Sequence, residues 1–457
     1  MAKLNTKRTP VRTHAGGVAK RITPEMELRR SVMSCLLWEK EAYEDGDLIA
    51  TRIANLVSHV HPKVVSSIAI EARNKMNLRH VPLLIITAMV KLPSHRYMVS
   101  ETIKAVVSRP DELSELLAMY FIGGKKPLAK QLKTGLAKAF TKFNAYQLAK
   151  WNRPAAIRLR DVMFLCHPKP KDSEQAKTFK QLARDTLPTP DTWEVALSTG
   201  GDKNKEWTRL LNENKLGALA LLRNLRNMNY AGVDRGLIKD ALTKVNTSRV
   251  LPFRYIAAAR YAPYLEDALE ASMFKSLSEH KQLKGKTVLL LDVSGSMNNL
   301  LSDKSDLSRL EAACGLAMLL REICEDIEIF TFSLKLKQIA PRRGFALRDA
   351  IVNSQDHNAT YLGTSVRALY APKNKKISIK SRFHGTISFS GRGLNPDRLI
   401  ILSDEQSHDS VPDPKGVGYM INVASARRGV GYGPWRHVDG FSESVVKWIQ
   451  EFEDNNY

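Results

Sequence analysis

The 457-residue sequence lacks the features that mark several common protein classes. Its cysteines are Cys35, Cys166, Cys314 and Cys324. They show no CxxC spacing, which favours reduced core thiols over a disulfide framework or a zinc site. No apolar run approaches the roughly 18 residues that a membrane span requires. The charged N-terminus also lacks the apolar segment of a signal peptide. We therefore expect a cytoplasmic protein with no membrane contact.

Motifs of the common catalytic folds are missing as well. The sequence contains no P-loop and no GxGxxG after a strand. His408 lies near Asp404 in the sequence, but no nucleophile-elbow pattern surrounds the candidate serines Ser294 and Ser296. We therefore predict that the protein is not an enzyme.

Positive charge is what the sequence has in excess: the net charge is +23 and the isoelectric point is about 9.8. Residues 285–457 contain 22 Lys and Arg against 20 Asp and Glu, a net of +2. The first 284 residues hold the other 48 basic and 27 acidic side chains, a net of +21. Charge segregated in this way indicates a polyanionic partner for the first two-thirds of the chain.

The hydrophobic pattern divides the chain into three parts. Residues 1–22 are basic, polar and aperiodic, which predicts a flexible arm. Over 23–284, apolar residues recur at three- and four-residue spacing and prolines interrupt the pattern every 15–25 residues. This predicts a HEAT-like α-solenoid of antiparallel helix pairs. Residues 285–457 alternate between strand and helix patterns, typical of a doubly wound α/β domain, and 371–398 is expected to be a surface loop.

Polar side chains cluster after the strands of this last part. One buried strand ends in Asp292-Val-Ser294-Gly-Ser296, Thr364 opens a helix, and Asp404 follows another apolar strand. Strand ends of parallel sheets bind ligands at one edge. A set made only of oxygen atoms suits Mg²⁺ or another hard divalent cation. The alternative is that Asp292 and Asp404 cap the turns that follow them and bind nothing.

A basic tract lies in the middle of the helical part. From Leu116 to Arg160 there is no Asp or Glu, and 127–143 is predicted to form an amphipathic helix with a lysine face. Like charges at four-residue spacing repel, so phosphate contacts explain such a face best; a solvated basic face is the alternative. The candidate phosphate-binding residues in the tract are Lys126, Lys130, Lys133, Lys138, Lys142, Lys150, Arg153 and Arg158.

Helical repeats followed by an α/β domain resemble the TROVE family, which includes Ro autoantigen-like RNA-binding proteins. Three segments carry the likeness: RLRDVMFLCHPKP at 158–170, LALLRNLRNM at 219–228 and VLPF at 250–253. The last part resembles a von Willebrand A-type domain with a metal-ion-dependent adhesion site. That resemblance implies a ligand set for the metal: Asp292, Ser294, Ser296, Thr364 and Asp404. Glu405 stands where the family more usually has an uncharged residue, and this departure puts the affinity of the site for metal in doubt.

The family resemblance also implies a function. It implies that the helices curve into a ring closed by the A-type domain, and that the protein binds Y-type noncoding RNA and single-stranded ends of misfolded RNAs. The resemblance implies that Lys150, Arg153 and His167 lie where the family contacts Y RNA; Lys150 and His167 match the family's residues in type, whereas Arg153 sits one place away from the family's arginine. We expect a monomeric protein in a ribonucleoprotein, with an exoribonuclease or another protein as an optional partner. The alternative function is an adaptor that grips a partner's carboxylate through the metal.

Overall fold

The computed structural model describes residues 10–33, 46–198, 200–247, 250, 252–278, 281–301, 305–381, 384–424, 426, 428–440, 445–446, 449–450 and 453. Within them, a helical region precedes a domain built on a mixed sheet. No described helix has both the length and the apolar character needed to cross a bilayer.

The helical region contains sixteen described helices, most of them 10–13 residues long, separated by short connections. Prolines stand at helix starts rather than inside: Pro62 occupies the first turn of its helix, where its missing N–H costs nothing. The helices are α1 (Pro24–Met33), α2 (Gly46–Val57), α3 (Pro62–Asn74), α4 (His80–Lys91), α5 (Arg96–Val106), α6 (Asp111–Tyr120), α7 (Lys130–Phe140), α8 (Ala145–Trp151), α9 (Leu159–Cys166), α10 (Ser173–Ala183), α11 (Trp193–Ser198), α12 (Lys203–Asn212), α13 (Ala218–Tyr230), α14 (Arg235–Lys244), α15 (Pro252–Tyr261) and α16 (Glu266–Leu277).

The sheet domain follows directly. Its elements are β1 (Leu283–Asp292), α17 (Arg309–Ile323), β2 (Cys324–Phe332), β3 (Leu336–Gln338), α18 (Gly344–Val352), α19 (Leu362–Tyr370), β4 (Lys376–Ser381), β5 (Gly385–Ser390), β6 (Arg398–Ser403), β7 (Val417–Asn422) and β8 (Arg436–Asp439). The main sheet has the order β3-β2-β1-β6-β7-β8 and is parallel except for β3.

Strand β1 lies in the middle of the main sheet and is buried on both faces. Leu289 and Leu291 belong to the core shared with α17 and the last helices of the helical region. Val288 and Leu290 belong to a second core on the opposite face, with side chains from α19 and β5. The short apolar run in the sequence is explained by this position, since a central parallel strand has no solvent-facing side.

Both ends of the helical region contact the sheet domain. Helices α15 and α16 pack on α17, and α16 also packs on α18. Helix α1 contacts β8 at the other edge of the sheet. Residues 10–20, which the sequence predicted to belong to a flexible arm, contact the sheet domain: Thr13 Oγ1 donates to the Ser407 carbonyl at 2.9 Å, and Lys20 N donates to the Gly429 carbonyl at 3.1 Å. Residues 1–9 lie outside the described part.

Two further expectations are corrected. The segment 371–398 contains the antiparallel hairpin β4–β5 rather than only a surface loop, because alternating Ile377, Ile379, Ile387 and Phe389 supply one apolar face. The predicted helix 127–143 is shorter, since α7 begins at Lys130 and ends at Phe140. The expected free thiols are confirmed where described: Cys166, Cys314 and Cys324 are buried and form no disulfide, while Cys35 lies outside the described residues.

Candidate nucleic-acid interface and metal centre

Asp292 and Asp404 lie side by side at the carboxyl edge of the sheet, because β1 and β6 are paired parallel neighbours. Both side chains are fully buried. Asp292 Oδ1 accepts the Ser294 N–H at 2.9 Å, and Oδ2 accepts the Ser403 hydroxyl at 2.7 Å. The pKa of Asp292 is raised to about 7, mainly by burial and to a smaller extent by the charge of the nearby Asp404 carboxylate. Each of the two carboxylates opposes the ionisation of the other, and a divalent cation bound between them would offset this repulsion.

The two motif serines lie beside Asp292. The Ser294 and Ser296 hydroxyl oxygens are 3.3 Å apart, at the start of the short turn Gly295–Asn298. The structure therefore brings together the carboxylate and both hydroxyls of the first loop, and Asp404 of the third. These donors are all oxygen, which fits a hard cation such as Mg²⁺.

Thr364 is held by an acid that the sequence analysis missed. Asp409 Oδ2 accepts both the Thr364 hydroxyl, at 2.7 Å, and its N–H, at 2.6 Å, and Asp409 Oδ1 accepts the Gly363 N–H at 2.9 Å. Asp409 thus caps the start of α19 from another loop and orients the threonine. The Thr364 hydroxyl donates a hydrogen bond to Asp409. The lone pairs of the hydroxyl oxygen therefore remain available to a cation. The available signal was a second acid five residues after Asp404.

A buried arginine was also missed. Arg309, the first residue of α17, is fully buried, and its Nη1 lies 3.7 Å from Asp404 Oδ2. The guanidinium offsets part of the negative charge that Asp292 and Asp404 concentrate at this edge. Nothing in the local sequence pattern pairs residue 309 with residue 404, since the contact depends on the fold.

Glu405 faces a separate buried cluster that joins the sheet domain to α1. Arg30 Nη1 donates to Glu405 Oε1 at 3.0 Å and lies 3.6 Å from Asp439 Oδ1. His437 Nε2 hydrogen-bonds the same Glu405 oxygen. Gly429 permits this approach, because a Cβ there would stand 2.1 Å from Glu405 Oε2. The Glu405 carboxylate therefore binds Arg30 and His437.

Charges in this cluster reinforce one another. Burial opposes ionisation of Glu405, but the charges of Arg30 and His437 outweigh it and lower the pKa of Glu405 to about 2. Burial likewise opposes protonation of His437, while Asp439 and Glu405 raise its pKa to about 9. Glu405, His437 and Asp439 could together ligate a metal ion, but the Arg30 guanidinium already supplies the positive charge between two of them.

The basic tract is partly neutralised by acids from outside it, which corrects the expectation of a helix face whose positive charge has no counter-charge. Lys138 pairs with Glu101 at 2.6 Å, and Lys142 Nζ donates to the Lys104 carbonyl at 2.8 Å. Farther along, Arg158 pairs with Asp185 at 2.6 Å and Arg153 approaches Glu194 at 3.7 Å. The acids come from neighbouring helices and connections, where a count along the tract itself could not find them.

Six lysines of the tract keep no carboxylate partner among the described residues, and we call the first four of them along the sequence, Lys125, Lys126, Lys130 and Lys133, the lysine face. Lys125, Lys126 and Lys130 are exposed and Lys133 is half-buried. The Lys126 ammonium lies 4.4 Å from the centre of the Tyr120 ring. Lys130 and Lys133 stand on α7, whose Leu132, Leu136 and Phe140 are buried on the other side.

Lys150, Arg153 and His167 occupy different surroundings. Lys150 and Arg153 both lie over the Trp151 ring, at 5.8 and 5.0 Å, and Arg109 lies at 3.7 Å from its centre. His167 is exposed and adopts a left-handed backbone conformation at the end of α9. His167 is therefore not a core histidine.

Helices α13 and α15 carry a second basic surface that the sequence analysis did not identify. Neither helix contains an acidic residue, and the two pack together. Five of their exposed arginines and tyrosines form what we call the arginine face: Arg223, Arg226, Tyr230, Arg254 and Tyr261. Arg226 lies 5.0 Å from the centre of the Tyr261 ring, and Tyr230 is 80% exposed.

Arg223 and Arg254 have no carboxylate partner within the described ranges. Arg254 has an exposed surface, but its pKa is lowered. The larger cause is desolvation by the surrounding protein, and the smaller is the positive charge of Arg223. An anion that binds between Arg223 and Arg254 would reduce the repulsion between the two like charges. The signal in the sequence was the absence of acids from both helices.

Comparison with known proteins decides the family. The TROVE domain family model matches residues 26–186 and 182–300, which together make up more than half of the chain. The chain belongs to the TROVE family. The resemblance that the sequence motifs indicated is thereby confirmed.

Two curated proteins are similar to this TROVE chain. Telomerase protein component 1 of Rattus norvegicus is 23% identical over 338 residues, covering 54% of this chain and 13% of the relative. The protein of the same name from Mus musculus is 24% identical over 347 residues, covering 55% and 13%. The chain spans only about an eighth of the length of these relatives.

A solved structure extends the likeness to the whole fold. The Ro (RSR) protein of Deinococcus radiodurans matches with a TM-score of 0.60 at 16% identity, covering 95% of this chain and 100% of that chain. The TROVE helical region followed by a mixed-sheet domain is therefore a known arrangement.

Proposed function

We propose that this protein is an RNA-binding scaffold that binds small noncoding Y-type RNA and the single-stranded ends of misfolded RNAs. It acts in RNA quality control or in the stability of noncoding RNA, without catalysing a reaction. Membership of the TROVE family, whose members bind RNA in ribonucleoproteins, supports this proposal. The observation that carries it is the lysine face: four neighbouring cations without a carboxylate partner in the described structure.

The two basic surfaces suit different RNA structures. Lysines contact backbone phosphates as point charges, so the lysine face suits structured RNA. Arginine forks bind phosphate bidentately, and exposed tyrosines offer rings on which unpaired bases stack. We therefore assign the arginine face to single-stranded ends.

Architecture supports the same function. We propose that the helices form a HEAT-like solenoid closed into a ring by a von Willebrand A-type domain. Contacts of α15 and α16 with one side of that domain, and of α1 with its β8 edge, support closure. We place the protein in the cytoplasm as a monomer within a ribonucleoprotein, to which an exoribonuclease or another protein binds.

The metal centre forms a separate part of the proposal. Asp292, Ser294, Ser296, Thr364 and Asp404 would hold Mg²⁺, with Asp409 orienting Thr364. A bound cation with an open position supplies an electrophilic point for an acidic ligand. The hydrogen bonds that Asp292 accepts from the Ser294 N–H and the Ser403 hydroxyl would hold its carboxylate in place for the cation.

Charge reversal of the lysine face tests the RNA proposal. We expect Lys125, Lys126, Lys130 and Lys133 changed together to Glu to weaken binding of a structured noncoding RNA at least about 100-fold at ~0.1 M salt. A matched control changes four other exposed lysines: Lys203, Lys205, Lys335 and Lys337. The measurement is fluorescence anisotropy with a labelled RNA, and equal affinities of the two variants would refute the proposal.

A second pair of probes tests the arginine face. Arg223→Gln combined with Arg254→Gln should weaken binding of a single-stranded oligonucleotide about 10-fold, because two phosphate contacts are lost. Binding of a blunt-ended RNA hairpin should stay within about twofold. If both probes lose affinity equally, the division between the two surfaces is wrong.

A further inference from the structure

The β4–β5 hairpin presents a polar face to solvent. Three cross-strand pairs form it: Lys376 opposite Ser390, Ser378 opposite Ser388, and Lys380 opposite Thr386. All six side chains are exposed, and we call this surface the hairpin face. Every side chain on it is a cation or a hydroxyl. The Ser378 and Ser388 hydroxyl oxygens are 2.8 Å apart.

Charge in the sheet domain is concentrated on this hairpin. Residues 371–396 contain six Lys and Arg and no Asp or Glu. The rest of 285–457 therefore holds 16 basic and 20 acidic residues, a net of −4. The net charge of the whole domain, +2, is small because the positive hairpin segment and the negative remainder nearly cancel. In the described structure, no carboxylate pairs with Lys373, Lys375, Lys376 or Lys380, so the hairpin's positive field is not locally cancelled.

The opposite face anchors the hairpin rigidly. Ile387 and Phe389 are buried in the core beside β1 and α19. At the turn, the Tyr361 hydroxyl hydrogen-bonds Ser381 and lies 3.0 Å from His384 Nδ1. The Tyr361 ring stacks on His408 with centres 5.4 Å apart. A hairpin backbone anchored in this way loses little conformational entropy when the hairpin binds a partner.

We infer that the hairpin face is an additional RNA-backbone binding site, at which Lys376 and Lys380 contact phosphates and the serine and threonine hydroxyls between them donate hydrogen bonds. Lysine and hydroxyl groups are the side chains that contact phosphate oxygens without reading bases. Lys376 and Lys380 stand about 13 Å apart along the strand, so one RNA strand can reach both. The inference rests on the proposed RNA-binding function and adds a contact from the sheet domain.

Neutralising the two central lysines tests the inference in the full chain. Lys376→Gln with Lys380→Gln should make the slope of log affinity against log salt concentration shallower by about 1.4 to 1.8, two contacts at 0.7 to 0.9 each. The matched control, Lys335→Gln with Lys337→Gln, removes the same charge from exposed positions beside and within β3 and should leave the slope unchanged. The probe is a structured noncoding RNA with a single-stranded tail.

Two results would overturn the inference. One is a hairpin variant with the slope and affinity of the wild type. The other is a variant that self-associates while its monomer binds RNA normally, because edge lysines also prevent strands of separate chains from pairing. If the wild-type chain itself binds no RNA, the proposed function fails instead, so the two failures are distinguishable. Thermal unfolding of each variant checks that the exposed substitutions leave the fold intact.

Discussion

The two regions place their acids differently: among the described residues the helical region buries one acid, Glu112, and has charged pairs at its surface, whereas the sheet domain buries five acids. Lys138 with Glu101 and Arg158 with Asp185 are surface pairs of the first kind. The buried acids of the sheet domain are Asp292, Asp404, Glu405, Asp409 and Asp439. The difference teaches that net charge along the sequence indicates a candidate surface for a polyanion, while buried charge depends on partners that only the fold brings together.

The largest expected effect lies where the two regions meet. Arg30→Met removes the cation that stands between Glu405 and Asp439, and leaves two buried carboxylates with less compensation. We expect the free energy of unfolding to fall by about 3–5 kcal/mol, measured by urea denaturation.

The adjacent residue provides the control for this comparison. Arg29 pairs with Glu71 at 2.6 Å at a partly exposed position. Arg29→Met should cost about 0–1 kcal/mol. Equal losses from the two substitutions would show that the buried cluster is no more important than a surface pair.

Stability should also depend on pH through His437. Because its pKa is raised to about 9 in the folded protein, the protonated ring contributes stability that is full below about pH 6.5 and is lost as pH rises through 9. Urea denaturation between pH 6 and 9.5 should reveal a decrease of about 3 kcal/mol. His437→Gln should remove most of this dependence; an unchanged pH profile in the variant would contradict the assignment.

Metal binding should belong to the sheet domain alone. Asp292→Ala should weaken Mg²⁺ binding about 10–100-fold, measured by isothermal titration calorimetry. Asp413, an exposed acid in the loop after Asp409, gives the matched control Asp413→Ala. RNA affinity of both variants should stay within about twofold of the wild type, and a large loss with Asp292→Ala would contradict the separation of the two sites.

The smallest expected effect distinguishes paired from unpaired lysines. Lys138→Gln should change RNA affinity less than about twofold, because its ammonium is already paired with Glu101. Lys130→Gln should cost several-fold, since its side chain has no carboxylate partner in the described structure. Anisotropy titrations of both variants measure the difference, and a larger loss with Lys138→Gln would reverse the interpretation.

Much of the fold could be predicted from sequence pattern. Three- and four-residue spacing indicated the helices, and the apolar run before Asp292 indicated a central parallel strand, now seen between β2 and β6. These are local signals, and local periodicity reports which side of an element faces the core. The β4–β5 hairpin was missed because its apolar alternation is short and lies among lysines and serines.

The sites were predictable only in part, for a physical reason. Asp292, Ser294 and Ser296 are close in sequence, so their motif is visible. Asp409 and Arg309 act on Thr364 and Asp404 across the fold, at separations of 45 and 95 residues. The acids that pair with Lys138 and Arg158 come from neighbouring elements in the same way. Such contacts depend on three-dimensional packing and leave no periodic trace in the sequence.

The central claim is that RNA is bound by charge on the protein surface, independently of the metal. The most direct test measures the affinity of the full chain for a structured noncoding RNA across salt concentrations, once with Mg²⁺ and once with EDTA. Four lysine contacts predict a log–log slope of about −3 or steeper in both conditions. A slope near zero, or loss of binding in EDTA, would contradict the claim.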